Sequence, residues 1–349
     1  MRFRPSRLLS GRARALAVTG TAALAAAALS ALGLVVPAAP AQAASAPPLP
    51  RLDITGDYVT GVSSGGFMAT QLQVAYSATF KGAGIVAAGP YDCGQGTVVG
   101  FDACDLGIGL GTLEQQAATW SQQGRIDPVA DLQGKPVYTY HGTADPVVNS
   151  AVSDAGVSFY QHFGARTTYH DTDPAGHSWV TPYGPVACSL TSAPFMNDCG
   201  DDPEGEMLRS WLGTVEAPDT GAPRGTLSRF DQNGYAPGGS APALSMDTTG
   251  QVYISPSCAA GAACKLVVAL HGCLSGQYLL GDEFARLGNL DTYADTNDLV
   301  VLYPQAIAST LPYNPQGCWD WFGYDGADFA LKSAPQMRAI TAMVHALGG

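Results

Sequence analysis

Apolar positions along this chain alternate between short runs of strand period and longer stretches of helical period. Asp57-Tyr58-Val59-Thr60 predicts a strand and Gly61 to Gly66 a tight turn, after which Met68, Leu72 and Tyr76 recur along one helical face. Gly84-Ile85-Val86-Ala87-Ala88 predicts a second, buried strand, followed by a Gly- and Cys-rich loop to about residue 111. Val137-Tyr138-Thr139-Tyr140 and Arg166-Thr167-Thr168-Tyr169 predict two more strands, with a helix over Ala151 to Phe163 between them. A short helix around Met207 to Leu212 leads into residues 214–243. That stretch holds Pro218, Pro223, Pro237 and Pro242 and reads as a connector with room for short β pieces. Beyond it, Leu266 to Leu270 and Leu299 to Tyr303 are strongly hydrophobic strands, and a helix from about Ala334 to Leu347 follows. Alternation of strand and helix without internal repeats predicts an α/β fold, a mainly parallel sheet flanked by helices.

The N-terminal pattern is different. Arg2, Arg4, Arg7, Arg12 and Arg14 precede an apolar stretch from Ala15 to Val36 and the small-residue site Ala41-Gln42-Ala43. This three-part pattern predicts a secretory signal peptide over residues 1–43, cleaved near Ala44, in preference to a membrane anchor. Residues 44–349 are then expected to form a single extracellular catalytic domain with no further membrane anchoring. Removing the arginine-rich segment takes the formal net charge from −12 to about −17, which argues against nucleic acid and anionic membranes as partners. Eight cysteines suit an exported chain. Proximity pairs Cys93 with Cys104, Cys188 with Cys199 and Cys258 with Cys264, leaving Cys273 for Cys318, one connectivity among about 105. No metal-ligand spacing of Cys and His is present, and no metal or organic cofactor is expected. The acidic run Asp198, Asp201, Asp202, Glu204 and Glu206 likewise lacks a calcium-ligand spacing and reads as a solvated turn that caps the next helix.

Gly61-Val62-Ser63-Ser64-Gly65 fits G-x-S-x-G, in which glycines flank a serine on a turn too crowded for a Cβ on either side. The pattern alone is weak, but here it follows a predicted strand and opens a predicted helix. Ser63 is therefore the candidate nucleophile. A serine hydroxyl needs a base and an acid to orient it. His177, in Asp173-Pro174-Ala175-Gly176-His177-Ser178-Trp179, lies on a loop after a strand and is the candidate base. His141 and His271 stand at strand ends beside glycine and read as turn-shaping residues, His162 and His345 fall on helices, and His170 ends a strand as a weaker rival. Asp145, in His141-Gly142-Thr143-Ala144-Asp145, follows a buried strand and is the candidate acid. Taken singly, Asp145 could be a turn or cap residue and His177 a surface histidine. Their order after Ser63 is the one this chemistry uses.

Acyl transfer also needs donors for the oxyanion: the Ser64 amide, after the nucleophile, and one from a loop following another strand. His271-Gly272-Cys273 supplies that loop, yet it comes after the triad, whereas the usual order puts it before the nucleophile. A circular permutation, with the 214–243 connector joining the ancestral ends, accounts for the displacement.

The chain resembles the extracellular poly(3-hydroxybutyrate) depolymerases whose serine motif lies near the start of the catalytic domain. The resemblance spans nearly all of residues 44–349. It rests on Gly61-Val62-Ser63-Ser64-Gly65-Gly66-Phe67-Met68, His141-Gly142-Thr143-Ala144-Asp145-Pro146-Val147-Val148, Gly176-His177-Ser178-Trp179, Leu270-His271-Gly272-Cys273 and Asn314-Pro315-Gln316-Gly317-Cys318-Trp319-Asp320-Trp321. It implies a circularly permuted α/β-hydrolase fold, the triad Ser63, Asp145 and His177, and an oxyanion hole of the Ser64 and Cys273 amides. It also implies that a Cys273–Cys318 disulfide tethers the oxyanion loop to the Trp319/Trp321 segment. Those two tryptophans are the candidate substrate contacts, since aromatic faces pack against the methyl and ester groups of a polyester. Many relatives append a polymer-binding domain; this sequence reads as resembling the single-domain members. Two other functions fit the sequence: an esterase for soluble short-chain or feruloyl esters, and a non-catalytic polymer-binding protein on a hydrolase scaffold. The intact set of three triad residues argues against the second.

Overall fold

The computed structural model describes residues 46–95, 104 and 109–349. The expected signal peptide, and most of the Gly- and Cys-rich loop, lie outside the described residues. Strands β1 (Ile54–Val62), β2 (Phe80–Val86), β3 (Pro136–Tyr140) and β4 (Arg166–His170) come from the first half of the chain. Strands β5 (Trp179–Val180), β6 (Val186–Ala187) and β7 (Met196–Asp198) form a small separate sheet. Strands β8 (Thr226–Asp231), β9 (Thr249–Ile254), β10 (Cys264–Leu270) and β11 (Leu299–Tyr303) complete the main sheet, in the order β4-β3-β2-β1-β10-β11-β9-β8. The six strands from β4 to β11 run parallel, and β9 and β8 close the edge antiparallel.

Strand alternation decides what each face buries. In β10, Leu266, Val268 and Leu270 enter one core, while Val267 and Ala269 enter the other; in β11, Val300 and Leu302 oppose Leu299, Val301 and Tyr303 in the same way. Both faces are covered, which is why these strands read as unbroken apolar runs. Helices α1 (Ser64–Ala75), α2 (Leu110–Gln122), α3 (Ser150–His162) and α6 (Pro335–Leu347) contribute to the first core. Helices α4 (Pro203–Leu212) and α5 (Leu290–Asn297) contribute to the second. Leu270 is completely buried at the end of β10, and truncation to Ala there would cost about 2–5 kcal/mol.

Residues 214–243, read as a connector with room for short β pieces, hold one six-residue strand. Within the supposed connector lies the edge strand β8, paired with β9 from Thr226↔Ile254 to Asp231↔Thr249. Its sequence, Thr-Leu-Ser-Arg-Phe-Asp, is mostly exposed and polar, so no hydrophobic run announced it; a charged edge also resists pairing with other chains. Strand β9 and helix α2 were likewise not visible as apolar periods. Among the described residues, no helix is long and apolar enough to cross a membrane.

In a parallel sheet the carboxyl ends of the strands share one edge. Here the loops after β1, β3, β4 and β10 therefore meet at the same rim, and β1 and β10 are neighbours although some 200 residues separate them. The order of strands switches sides of the sheet between β1 and β10, the place where open α/β sheets form their crevice.

Candidate active site

Ser63 follows β1 directly and caps α1, at φ 57° and ψ −125°. A non-glycine residue in that region stores about 1–3 kcal/mol of strain, which the surrounding packing must hold. The flanking glycines show why it holds. A Cβ on Gly61 would come within 2.4 Å of the Gly65 backbone, and one on Gly65 within 2.2 Å of the Leu270 carbonyl oxygen. The elbow can form only because β1, α1 and the end of β10 touch backbone to backbone. Ser64, at the first helical position, keeps an amide with no intrahelical acceptor.

Asp145 lies on the loop after β3 with its side chain fully buried. Its Oδ1 accepts the amides of Val147 at 2.7 Å and Val148 at 3.0 Å, and its Oδ2 lies 2.7 Å from Nδ1 of His177. Burial pushes the carboxyl up, but the bond to His177, the charge of that ring and the two amides outweigh burial. Together they hold Asp145 below the ordinary carboxylate range. Because an ionised carboxylate only accepts, the His177 proton sits on Nδ1, and Nε2 is the nitrogen left as acceptor. The backbone of His177 is braced separately: its amide donates to Thr191 Oγ1 at 2.8 Å, and the Gly176 amide donates to the Cys188 carbonyl at 2.8 Å.

The loop after β10 lies against the serine. A Cβ on Gly272 would stand 3.3 Å from the Ser63 Cβ, which puts the Cys273 amide beside the elbow. Ser63, His177, Gly272 and Cys273 line one pocket of about 220 Å³, whose other walls include Val147, Phe195, Leu274 and Gln316. The cysteines pair as Cys93–Cys104, Cys188–Cys199, Cys258–Cys264 and Cys273–Cys318, so the loop after β10 is linked covalently to the segment ahead of Trp319.

The tryptophans are not where the sequence placed them. Trp319 and Trp321 are 0% and 1% exposed, with no surface to offer a substrate. Trp319 donates from Nε1 to the His271 carbonyl at 3.1 Å, and Trp321 stacks on Phe67 of α1 with ring centroids 4.1 Å apart. Trp319 thus braces the loop after β10, and Trp321 braces helix α1. Beside Phe195 and Val62, the exposed apolar side chains of the pocket wall are Leu274, 39% exposed, and Val147, 43% exposed. Each adjoins a motif residue, and that adjacency could have identified them; nothing in the sequence marks Phe195.

The acidic run also needs correction. Asp202 caps α4 by accepting the Gly205 amide at 3.1 Å, but Glu204 is buried rather than solvated. Burial, with the Asp202 charge adding to it, pushes its carboxyl well above the usual range. Among the described residues, His170, Asp173 and Asp201 bring potential ligand atoms within 4.8 Å of one another. There, however, the imidazole is already bonded to carboxylates, including Glu206 at 3.0 Å.

A strand-end serine elbow, a buried acid after β3, a histidine after β4 and a loop from the later half of the chain, after β10, packed against the serine define a circularly permuted α/β-hydrolase. No family model matches the chain. It is 43% identical over 307 residues to the poly(3-hydroxybutyrate) depolymerase of Delftia acidovorans, covering 85% of this chain and 60% of that protein's length. It is 35% identical over 321 residues to the polyhydroxybutyrate depolymerase of Talaromyces funiculosus, covering 86% of this chain and 92% of the other. The crystal structure of the PHB depolymerase from Penicillium funiculosum superimposes with a TM-score of 0.79 at 33% identity, over 86% of this chain and 98% of that one. A PHB depolymerase variant complexed with an R3HB trimer matches equally well. The chain belongs to the poly(3-hydroxybutyrate) depolymerases, a family of carboxylic-ester hydrolases.

Proposed function

We propose that this protein is a secreted esterase that hydrolyses poly(3-hydroxybutyrate)-type polyesters through an acyl-enzyme, with residues 44–349 as one catalytic domain. The observation that carries the reading is the 2.7 Å bond between buried Asp145 and His177, in a pocket that Ser63 and His177 share. His177 Nε2 takes the Ser63 proton as Oγ attacks the ester carbonyl, and the Ser64 and Cys273 amides hold the oxyanion. His177 then protonates the departing alcohol oxygen. Water, activated by the same nitrogen, releases the acid. Asp145 keeps the productive tautomer and stabilises the imidazolium. A second apolar hollow of about 440 Å³, lined by Tyr313, Phe322 and Tyr324, shares Gln316 with the reaction pocket and offers room for further ester units of a chain.

The test is clearing of a poly(3-hydroxybutyrate) suspension by protein recovered from the culture medium, beside hydrolysis of p-nitrophenyl butyrate and a Ser63→Ala control. Clearing with release of hydroxybutyrate, reduced at least about 10⁴-fold in the control, is expected. Hydrolysis of the soluble ester alone would move the function to small esters, and turnover retained by folded Ser63→Ala would sink the nucleophile assignment. The N-terminus of the secreted protein, expected near Ala44, checks the export reading.

A further inference from the structure

Resting on the reading of Ser63 as nucleophile, we propose that His271 is a positioning residue that aims the Cys273 amide at the oxyanion. His271 is completely buried at the end of β10, with its ring centroid 5.4 Å from that of Trp319 and 6.4 Å from that of Phe284. Both ring nitrogens are engaged. The Ala306 amide lies 3.1 Å from Nε2, and Nδ1 lies 2.7 Å from the Gly272 carbonyl oxygen. A backbone amide can only donate, so Nε2 is the acceptor and the ring proton sits on Nδ1, from which it donates to Gly272. Burial pushes the imidazole down to about 4, which keeps the ring neutral and this tautomer in place at ordinary pH.

The consequence follows from peptide geometry. The Gly272–Cys273 peptide is planar and trans, so its carbonyl and its N–H point in opposite directions. The carbonyl is held by His271 and, at 3.3 Å, by the Ser275 amide. Fixing the oxygen on that side turns the Cys273 N–H to the other. The same peptide, flipped, would break both bonds and present a carbonyl oxygen where negative charge develops, so its orientation decides between stabilising and opposing the reaction. Trp319 performs the equivalent task one peptide earlier by holding the His271 carbonyl. The disulfide from Cys273 fixes the loop's place but not the rotation of this peptide.

Two substitutions separate the ring's two bonds. His271→Asn keeps an amide donor near the Nδ1 position. His271→Gln places its amide oxygen near Ala306 N–H and leaves the Gly272 carbonyl without its side-chain donor. Turnover of p-nitrophenyl butyrate, per active site titrated to completion with a fluorophosphonate, is expected to fall about 10²–10³-fold in His271→Gln with KM changed less than about twofold. Binding of butylboronic acid, whose tetrahedral adduct also uses the oxyanion donors, should weaken in parallel, and His271→Asn should recover most of both losses. Equal losses in the two folded variants, or a loss carried by KM, would overturn the proposal. Either variant could fail to fold, so the unaltered protein supplies an independent test: nitrogen NMR of its isotopically labelled histidines. A proton on Nδ1 of His271 supports the assignment, and a proton on Nε2 overturns it. Full turnover in Ser63→Ala would instead remove the nucleophile reading, and this inference with it.

Discussion

His170 ends β4 and His177 lies seven residues further on in the loop after it; both meet carboxylates, yet their surroundings assign them different work. His177 meets one carboxylate through one nitrogen. That partner is fully buried, and its second oxygen is saturated by two backbone amides. His170 is ringed by Glu206 at Nδ1 and by Asp173 and Asp201 at Nε2, at 3.0, 3.2 and 3.6 Å. Tyr138 and Tyr140 donate in turn to Glu206 and Asp173. A base must keep one nitrogen for the proton it moves, and His170 has none to spare. What separates the proposed base from its neighbour is the nitrogen left uncommitted, more than the presence of a carboxylate.

The sharpest way to test that contrast is to remove the acid's charge while keeping its shape. Asp145→Asn would favour the wrong His177 tautomer and is expected to lower kcat by about 10⁴-fold, with KM for a soluble ester nearly unchanged. His170→Gln should leave kcat within about twofold in the same assay. A comparable loss in both variants would erase the distinction.

A smaller effect is expected from the brace behind His177. Cys188 and Cys199, 11 positions apart in sequence, close a loop that carries Thr191, the acceptor of the His177 amide. Replacing both cysteines with Ala should lower the unfolding free energy by about 2–3 kcal/mol, read by denaturant titration. Thr191→Val leaves the His177 amide without its acceptor and should lower the unfolding free energy by only about 1–2 kcal/mol, while the loosened ring lowers kcat by roughly tenfold. If Thr191→Val leaves kcat intact, the loop stabilises the fold without positioning the ring.

The same comparison shows what the sequence could and could not reveal. Order along the chain and position after strands were enough to prefer His177 over His170, because the fold converts those features into a common rim. One displaced loop, His271 to Cys273, implied that β1 and β10 are neighbours despite their separation in sequence, and they pair in parallel with Gly272 against Ser63. Trp319 and Trp321 were misplaced because an aromatic side chain beside a functional loop looks alike in sequence whether it faces the substrate or the core. The partners that decide the matter, the His271 carbonyl and Phe67, come from elsewhere in the chain. Strand β8 was missed for a related reason: an edge strand buries too little to print a hydrophobic period. Glu204 shows the converse, a charged residue in an acidic run that tertiary packing buries against Asn289.

The smallest expected effect concerns pH, and His170 carries one share of it beside buried carboxylates such as Asp92, Asp291 and Asp320, which burial pushes up to about 7. Burial tends to lower its pKa, but hydrogen bonds to Glu206 and Asp173 and their charges prevail and raise it above the ordinary value of 6.5. A histidine whose pKa is raised on folding contributes stability that is fully present below its unfolded value and is lost as pH rises through its folded value. Asp201 acts in the same direction: burial first, and then the Asp173 charge, raise its carboxyl above the ordinary range, so the folded state again binds protons more readily. Stability should therefore decline as pH rises from about 6 into the alkaline range. Solvent screening limits the His170 share to about 1 kcal/mol or less. Denaturant midpoints of the wild type at pH 5.5 and 8.5 should show this decline, and His170→Gln should make it shallower by the His170 share. Added salt should flatten it as well, because these groups are partly exposed and their attraction is screened. A slope unchanged by His170→Gln would move the pH response to another group and leave the His170 cluster a mere filler of the rim.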